Sequence, residues 1–198
     1  QAGPGMSDAD YAALVIGGSA GSLEVVCRLL EGLEAPTRLA IVICLHTASR
    51  DLDDLCAVLG RHTELPVVEA EDGTAVEANR VHLAAGGYHL LVERSATFAL
   101  CAGPRIQYAR PSIDVLFESM ADTYRRYLVG ILLSGANADG AAGLRAIHRL
   151  GGLTIVQTPE TASAPDMPRA ALKLFEPDRQ NSPSQLLDAV RVISRLAR

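Results

Sequence analysis

Two rhythms of apolar residues run along this chain. The first is continuous: a segment opening with Leu14 to Ile16, then Leu39 to Leu45 and Leu128 to Leu133. Runs that are apolar at every position and bounded by turn residues are strands buried on both faces. Leu153 to Gln157 reads as a further strand. The second rhythm has apolar residues three and four apart, as on one face of a helix. Ser22 to Leu33 shows it, as does Asp51 to Leu59. Arg110-Pro111-Ser112 opens another helix, with Ser112 as N-cap, Asp114 in the first turn and Val115, Leu116, Met120 and Tyr124 behind it. Ala141 to Leu150 forms a helix stopped by Gly151-Gly152, and Pro168 to Leu174 a short one. Ser182-Pro183-Ser184-Gln185 is a capping-box start for a last helix ending near Leu196.

Between these lie shorter apolar pieces: Pro66 to Glu69, Val81 to Ala84, His89 to Val92 and Thr97 to Cys101. Their connections are too short for crossover helices, so this middle section is expected to be antiparallel. Strand and helix alternate elsewhere. The fold class that follows is α/β: three layers around a doubly wound, mostly parallel sheet with an antiparallel hairpin insertion. The 198 residues suit a single domain. Gln1 to Gly5 reads as a tag remnant before a native start at Met6, leaving residues 6–198 as that domain.

Composition sharpens this picture. Aromatic residues are only 4% against 48% hydrophobic overall, so small aliphatic side chains must fill the core. A net charge of -5 gives no basic footprint for nucleic acid. No run reaches the ~20 apolar residues of a membrane span, and the first residues show no basic region followed by an apolar stretch, so no signal peptide is expected. Cys27, Cys44, Cys56 and Cys101 are far apart and form no C-x-x-C, so neither a zinc site nor a redox motif is indicated. Buried free thiols in a reducing cytoplasm are expected.

Candidate chemistry sits at strand ends, where parallel sheets bind ligands. The first strand enters a small-residue turn centred on Ser19, the second ends at His46, and the strand ending at Leu133 feeds a loop holding Asp139. A serine hydroxyl needs a base to take its proton, histidine suits that task near neutrality, and a carboxylate orients the imidazole. Backbone N–H groups would have to stabilise the oxyanion, with those of Ala20 and Ala136 as candidates. Each residue also has a plain reading: Ser19 as a turn residue, His46 as a loop residue, Asp139 as the cap of the helix behind it. His89 could line the same cleft or be structural, and Arg110 could bind a carboxylate or brace its loop. His62 and His148 read as solvated, and His82 as structural.

The motifs IGGSAGS (Ile16–Ser22), the strand ending in His46, EAEDG (Glu69–Gly73), HLAAGGYHL (His82–Leu90), RPSIDVLF (Arg110–Phe117), LSGANADGAAGL (Leu133–Leu144) and MPRAA (Met167–Ala171) resemble, in this order, the catalytic domain of the CheB-type chemoreceptor methylesterases. The resemblance runs from about residue 12 to the end of the chain. It implies a cytoplasmic serine hydrolase that removes methyl groups from glutamate γ-methyl esters of methylated chemoreceptors, and the related deamidation of glutamine. It implies Ser19 as nucleophile, His46 as base and Asp139 as its orienting acid, with no metal or organic cofactor. The family's usual N-terminal receiver domain has no counterpart in this sequence, so either an excised catalytic domain or a stand-alone enzyme is expected, and a start at Met6 favours the second. The chain departs from the family pattern at Ala20 and Ser22, at Gly135-Ala136-Asn137-Ala138, and at Thr47-Ala48-Ser49-Arg50. Two other readings stay open here: a homologue acting as a binding or scaffold protein, and a nucleotide-binding module using the glycine turn.

Overall fold

The computed structural model describes residues 10–46 and 52–197. The expected tag remnant and Met6, the Thr47-Ala48-Ser49-Arg50 departure and the helix start at Asp51 lie outside the described residues. Seven strands form one sheet: β1 (Ala13–Gly18), β2 (Ala40–Leu45), β3 (Val67–Glu69), β4 (Arg80–Leu83), β7 (Leu128–Leu132), β8 (Leu153–Gln157) and β9 (Arg179–Asn181), while β5 (His89–Val92) and β6 (Phe98–Cys101) form a separate hairpin. The order is β3-β4-β2-β1-β7-β8-β9, and every pair in it is parallel. The helices are α1 (Leu23–Leu30), α2 (Leu52–Gly60), α3 (Ile113–Tyr124), α4 (Ala141–Arg149), α5 (Asp166–Leu174) and α6 (Pro183–Leu196).

The continuous apolar runs are central strands because both sheet faces are covered. Leu14 and Ile16 of β1 pack into the layer holding α1 and α6, while Ala13 and Val15 pack into the layer of α3, α4 and α5. β2 divides the same way, with Ile41, Ile43 and Leu45 on one face and Val42 and Cys44 on the other. β1 lies between β2 and β7, so the chain reverses its direction of winding there. The crevice beyond the carboxyl ends of β1 and β7 is the topological switch point where open α/β sheets take ligands.

The middle section departs from expectation. Among the described strands only β5 and β6 pair antiparallel; β3 and β4 join the main sheet in parallel. The ten residues between β3 and β4 cross without a helix because the hairpin satisfies their backbone. Gly73 N donates to Phe98 O at 2.8 Å, Phe98 N to Thr74 O at 2.8 Å, and Val76 N to Ala96 O at 2.9 Å. β9 was not anticipated, since three polar residues on a sheet edge carry no periodic signal. Among the cysteines, Cys27 and Cys44 are buried, but Cys56 is half-buried and Cys101, at the end of the hairpin, is exposed. All four are free thiols. No helix among the described residues is long and apolar enough to cross a membrane.

Candidate active site

The turn after β1 is built from small residues because it is crowded. Gly21 takes a φ of 76°, a left-handed conformation that disfavours a side chain. The Ser22 hydroxyl and N–H both donate to Ser19 O, at 2.7 and 3.1 Å, and Ser19 N donates to Ser134 O at 2.8 Å. Ser134, which the sequence reading overlooked, holds this turn from below. Its hydroxyl donates to Ala20 O at 2.6 Å, and its own N–H is held by Gln157 Oε1 at 3.0 Å. A Cβ on Gly135 would sit 3.0 Å from Ser19 Cβ, so this glycine lets the loop after β7 close on the serine.

His46 follows β2 one residue beyond the Gly18–Leu45 pair, and its N–H donates to Gly18 O at 3.0 Å. Ser19 and His46 therefore each follow the last paired residue of neighbouring parallel strands, at the same edge of the sheet. Both line a cleft of about 310 Å³. No hydrogen bond joins their side chains among the described residues.

His46 Nε2 lies 2.9 Å from Asp139 Oδ2, and the carboxylate is fully buried. The approach is close, yet the ring N–H is not aligned with the carboxylate as a hydrogen bond. Such contacts tighten once a ligand occupies the site. The nitrogen facing the acid is Nε2, which leaves Nδ1 on the other side of the ring.

Asp139 does not cap the helix behind it. α4 starts from Gly140, while the Asp139 carboxylate reaches across to the start of α3. There it accepts from Ser112 Oγ at 2.8 Å, Ile113 N at 2.7 Å and Asp114 N at 3.0 Å. Burial pushes this carboxyl up, but the His46 contact and the three α3 donors outweigh it and hold it below the usual carboxylate range. Asp114 returns the favour: its Oδ1 accepts from Gly140 N at 2.9 Å and Gly143 N at 2.7 Å at the start of α4. Each helix thus has its free N–H groups met by a carboxylate from the other's loop or first turn. The sequence reading gave Asp114 only a local first-turn role.

These two acids titrate in opposite senses. Burial pushes Asp114 up from 3.8 to about 6, helped by the charges of Asp139 and Glu118 and opposed by the Gly143 and Gly140 amides. For Asp139, depressed in the fold, stability is present above the unfolded value and is lost as pH falls through the folded one. For Asp114, raised in the fold, stability is full below 3.8 and is lost as pH rises toward about 6. Asp114→Asn keeps an Oδ1 acceptor for both amides and does not titrate. Thermal melts should show the variant gaining on wild type between about pH 4 and about pH 7. A flat or falling difference would contradict the assignment.

The remaining candidates divide. The Ala20 and Ala136 N–H groups have no acceptor among the described residues, and both residues are exposed, each next to a residue of the cleft lining, Ser19 and Asn137. His89 is buried and lies outside the cleft lining: its Nδ1 accepts from Ser112 N at 3.1 Å and its Nε2 meets Pro104 O at 2.8 Å. Both nitrogens are engaged, so it is a brace. Arg110 lines the cleft and also braces, with Nη1 donating to Ala102 O and Gly103 O at 3.2 and 3.0 Å. His82 is buried edge-on against Phe98, as a structural residue. His62 and His148 are paired with Glu31 and Asp178 at 2.8 and 3.5 Å instead of being simply solvated.

Known proteins share this arrangement of fold and chain. The family model described as CheB methylesterase matches residues 14–190. A Leptospira interrogans protein, provisionally named a protein-glutamate methylesterase/protein-glutamine glutaminase, is 38% identical over 169 residues, covering 85% of this chain and 88% of that one. Protein-glutamate methylesterase/protein-glutamine glutaminase 3 of Hahella chejuensis is 38% identical over 161 residues, 81% of this chain but 46% of that protein. The chain thus spans about half the length of this second relative. The crystal structure of the Thermotoga maritima CheB methylesterase catalytic domain matches with a TM-score of 0.86 at 25% identity, covering 91% of this chain and 97% of that one.

Proposed function

Since the chain belongs to the CheB methylesterase family, a group of carboxylic ester hydrolases, we propose that it hydrolyses glutamate γ-methyl esters of methylated chemoreceptors through Ser19, His46 and Asp139. The observation that carries this reading is the His46–Asp139 pair at 2.9 Å, with its acid held ionised, at the same sheet edge as Ser19.

In this mechanism Ser19 Oγ attacks the γ-carbonyl carbon while its proton passes to His46 Nδ1. The imidazolium that forms is stabilised by Asp139 through Nε2. The unpartnered Ala20 and Ala136 N–H groups are the donors for the tetrahedral oxyanion. As the C–O bond to the methoxy group breaks, His46 returns the proton and methanol leaves, with the glutamyl group esterified to Ser19. Water then attacks this acyl-enzyme, giving its proton to His46, and glutamate is released with the serine hydroxyl restored. A glutamine side chain would follow the same path with ammonia as the first product.

A fluorophosphonate probe tests for the nucleophile directly, because it phosphonylates an activated serine hydroxyl. Labelling confined to Ser19, together with methanol release from methylated receptor, is the expected result. Absence of both would favour a protein that keeps the fold for binding alone.

A further inference from the structure

Between β6 and α3 the chain makes a tight turn that forms one wall of the cleft and has no part in the chemistry above. Gln107 and Tyr108 both take left-handed backbone, with φ of 48° and 65°, and neither is glycine. Strained backbone of this kind persists only where its surroundings over-determine it, and it clusters at functional sites. Here the turn is closed by a reciprocal pair of backbone bonds, Ile106 N to Ala109 O at 3.0 Å and Ala109 N to Ile106 O at 2.8 Å. Asn137 Nδ2 donates to Gln107 O at 3.4 Å, tying the turn to the loop that carries Asp139. Arg105 Nη1 reaches Tyr108 O at 3.3 Å, and the Arg110 and His89 braces hold the stretch leading into it.

This strain holds an aromatic ring out in water. Tyr108 is 94% exposed, and Ile106 beside it is partly exposed as well. The free protein gains nothing from that position, although a tyrosine ring can bury ~150–250 Å² against a partner. The same wall carries Arg105 and Arg110 on a chain whose net charge is -5. A partner suited to it therefore brings an apolar side chain for the ring and carboxylates for the guanidinium groups. A protein segment bearing glutamyl esters fits this description, since each ester hydrolysed becomes a carboxylate.

We propose that the turn at residues 105–109 is the docking ridge for the protein substrate. Tyr108 and Ile106 cover an apolar residue beside the esterified glutamate, and Arg105 faces acidic neighbours on the same segment. This inference rests on the proposed esterase activity and names the part of the protein that separates a polypeptide ester from a small one.

The test compares two synthetic esters. One is an amphipathic peptide with a single glutamate γ-methyl ester flanked by leucines and glutamates; the other is the γ-methyl ester of N-acetylglutamate α-amide. In methanol-release assays, Tyr108→Ala should lose ~10- to 100-fold in kcat/KM on the peptide, mainly through KM, as for an aromatic anchor at an interface centre. The loss on the small ester should be at least ten times smaller. Tyr108→Phe should recover the peptide rate to within about threefold, because ring burial and not the hydroxyl is at issue. Equal losses on both esters, no loss on either, or a wild type without preference for the peptide would overturn the ridge while leaving the esterase intact. A wild type inactive on both esters would overturn the esterase and the ridge together.

Discussion

Ser19→Ala is expected to lower kcat/KM for methanol release by ~10⁴-fold or more while leaving the thermal midpoint within about two degrees of wild type. The size of the rate loss follows from removing the atom that bonds to the substrate. Without it, only the oxyanion donors and substrate positioning remain. The small cost in stability follows from how the turn is held. Ser19 contributes its backbone N–H to Ser134 and its carbonyl to Ser22, and alanine keeps both. A His46→Ala change added to it should cost little more activity, because the two residues act as one unit. Activity within tenfold of wild type in the single variant would rule out Ser19 as the nucleophile.

Asp139→Ala should cost both activity and stability. The rate should fall by ~10⁴-fold, as when a triad acid no longer orients its histidine. Urea unfolding should show a loss of about 3–5 kcal/mol, since a buried charge with its donors is removed from one side only. Ser112 Oγ, Ile113 N and Asp114 N would be left at the start of α3 without their acceptor. Asp139→Asn should fall between wild type and alanine. It keeps the shape, but its amide group must turn two donor hydrogens toward backbone N–H groups. A stability loss under about 1 kcal/mol in Asp139→Ala would show that the carboxylate does not hold α3 and α4 together.

Much of this fold could be read from the chain because its central strands are apolar on both faces and end in abrupt polar turns. That is why Ser19, His46 and Asp139 stood out at strand ends. What stayed hidden was decided by tertiary contact. The parallel entry of β3 and β4 depends on a helixless crossover whose backbone is satisfied by a hairpin more than twenty residues later. The reach of Asp139 to a helix whose N-cap lies 27 residues earlier has no local signature, whereas the capping rule that assigned it to α4 is local. Which imidazole nitrogen meets the acid is likewise invisible to spacing. Ile106 and Tyr108 read as an unremarkable loop until their exposure and backbone conformation are known.

The double duty of Asp139 bears on how descendants of such a chain would decay. A lineage released from the need to hydrolyse esters could exchange Ser19 freely, because the fold does not depend on its hydroxyl. The same lineage could not discard Asp139 without loosening two helices, so the acid would outlive the activity. Among homologues, an intact aspartate at this position therefore reports a working scaffold, and under the proposed mechanism the serine is the residue that separates living enzymes from relics.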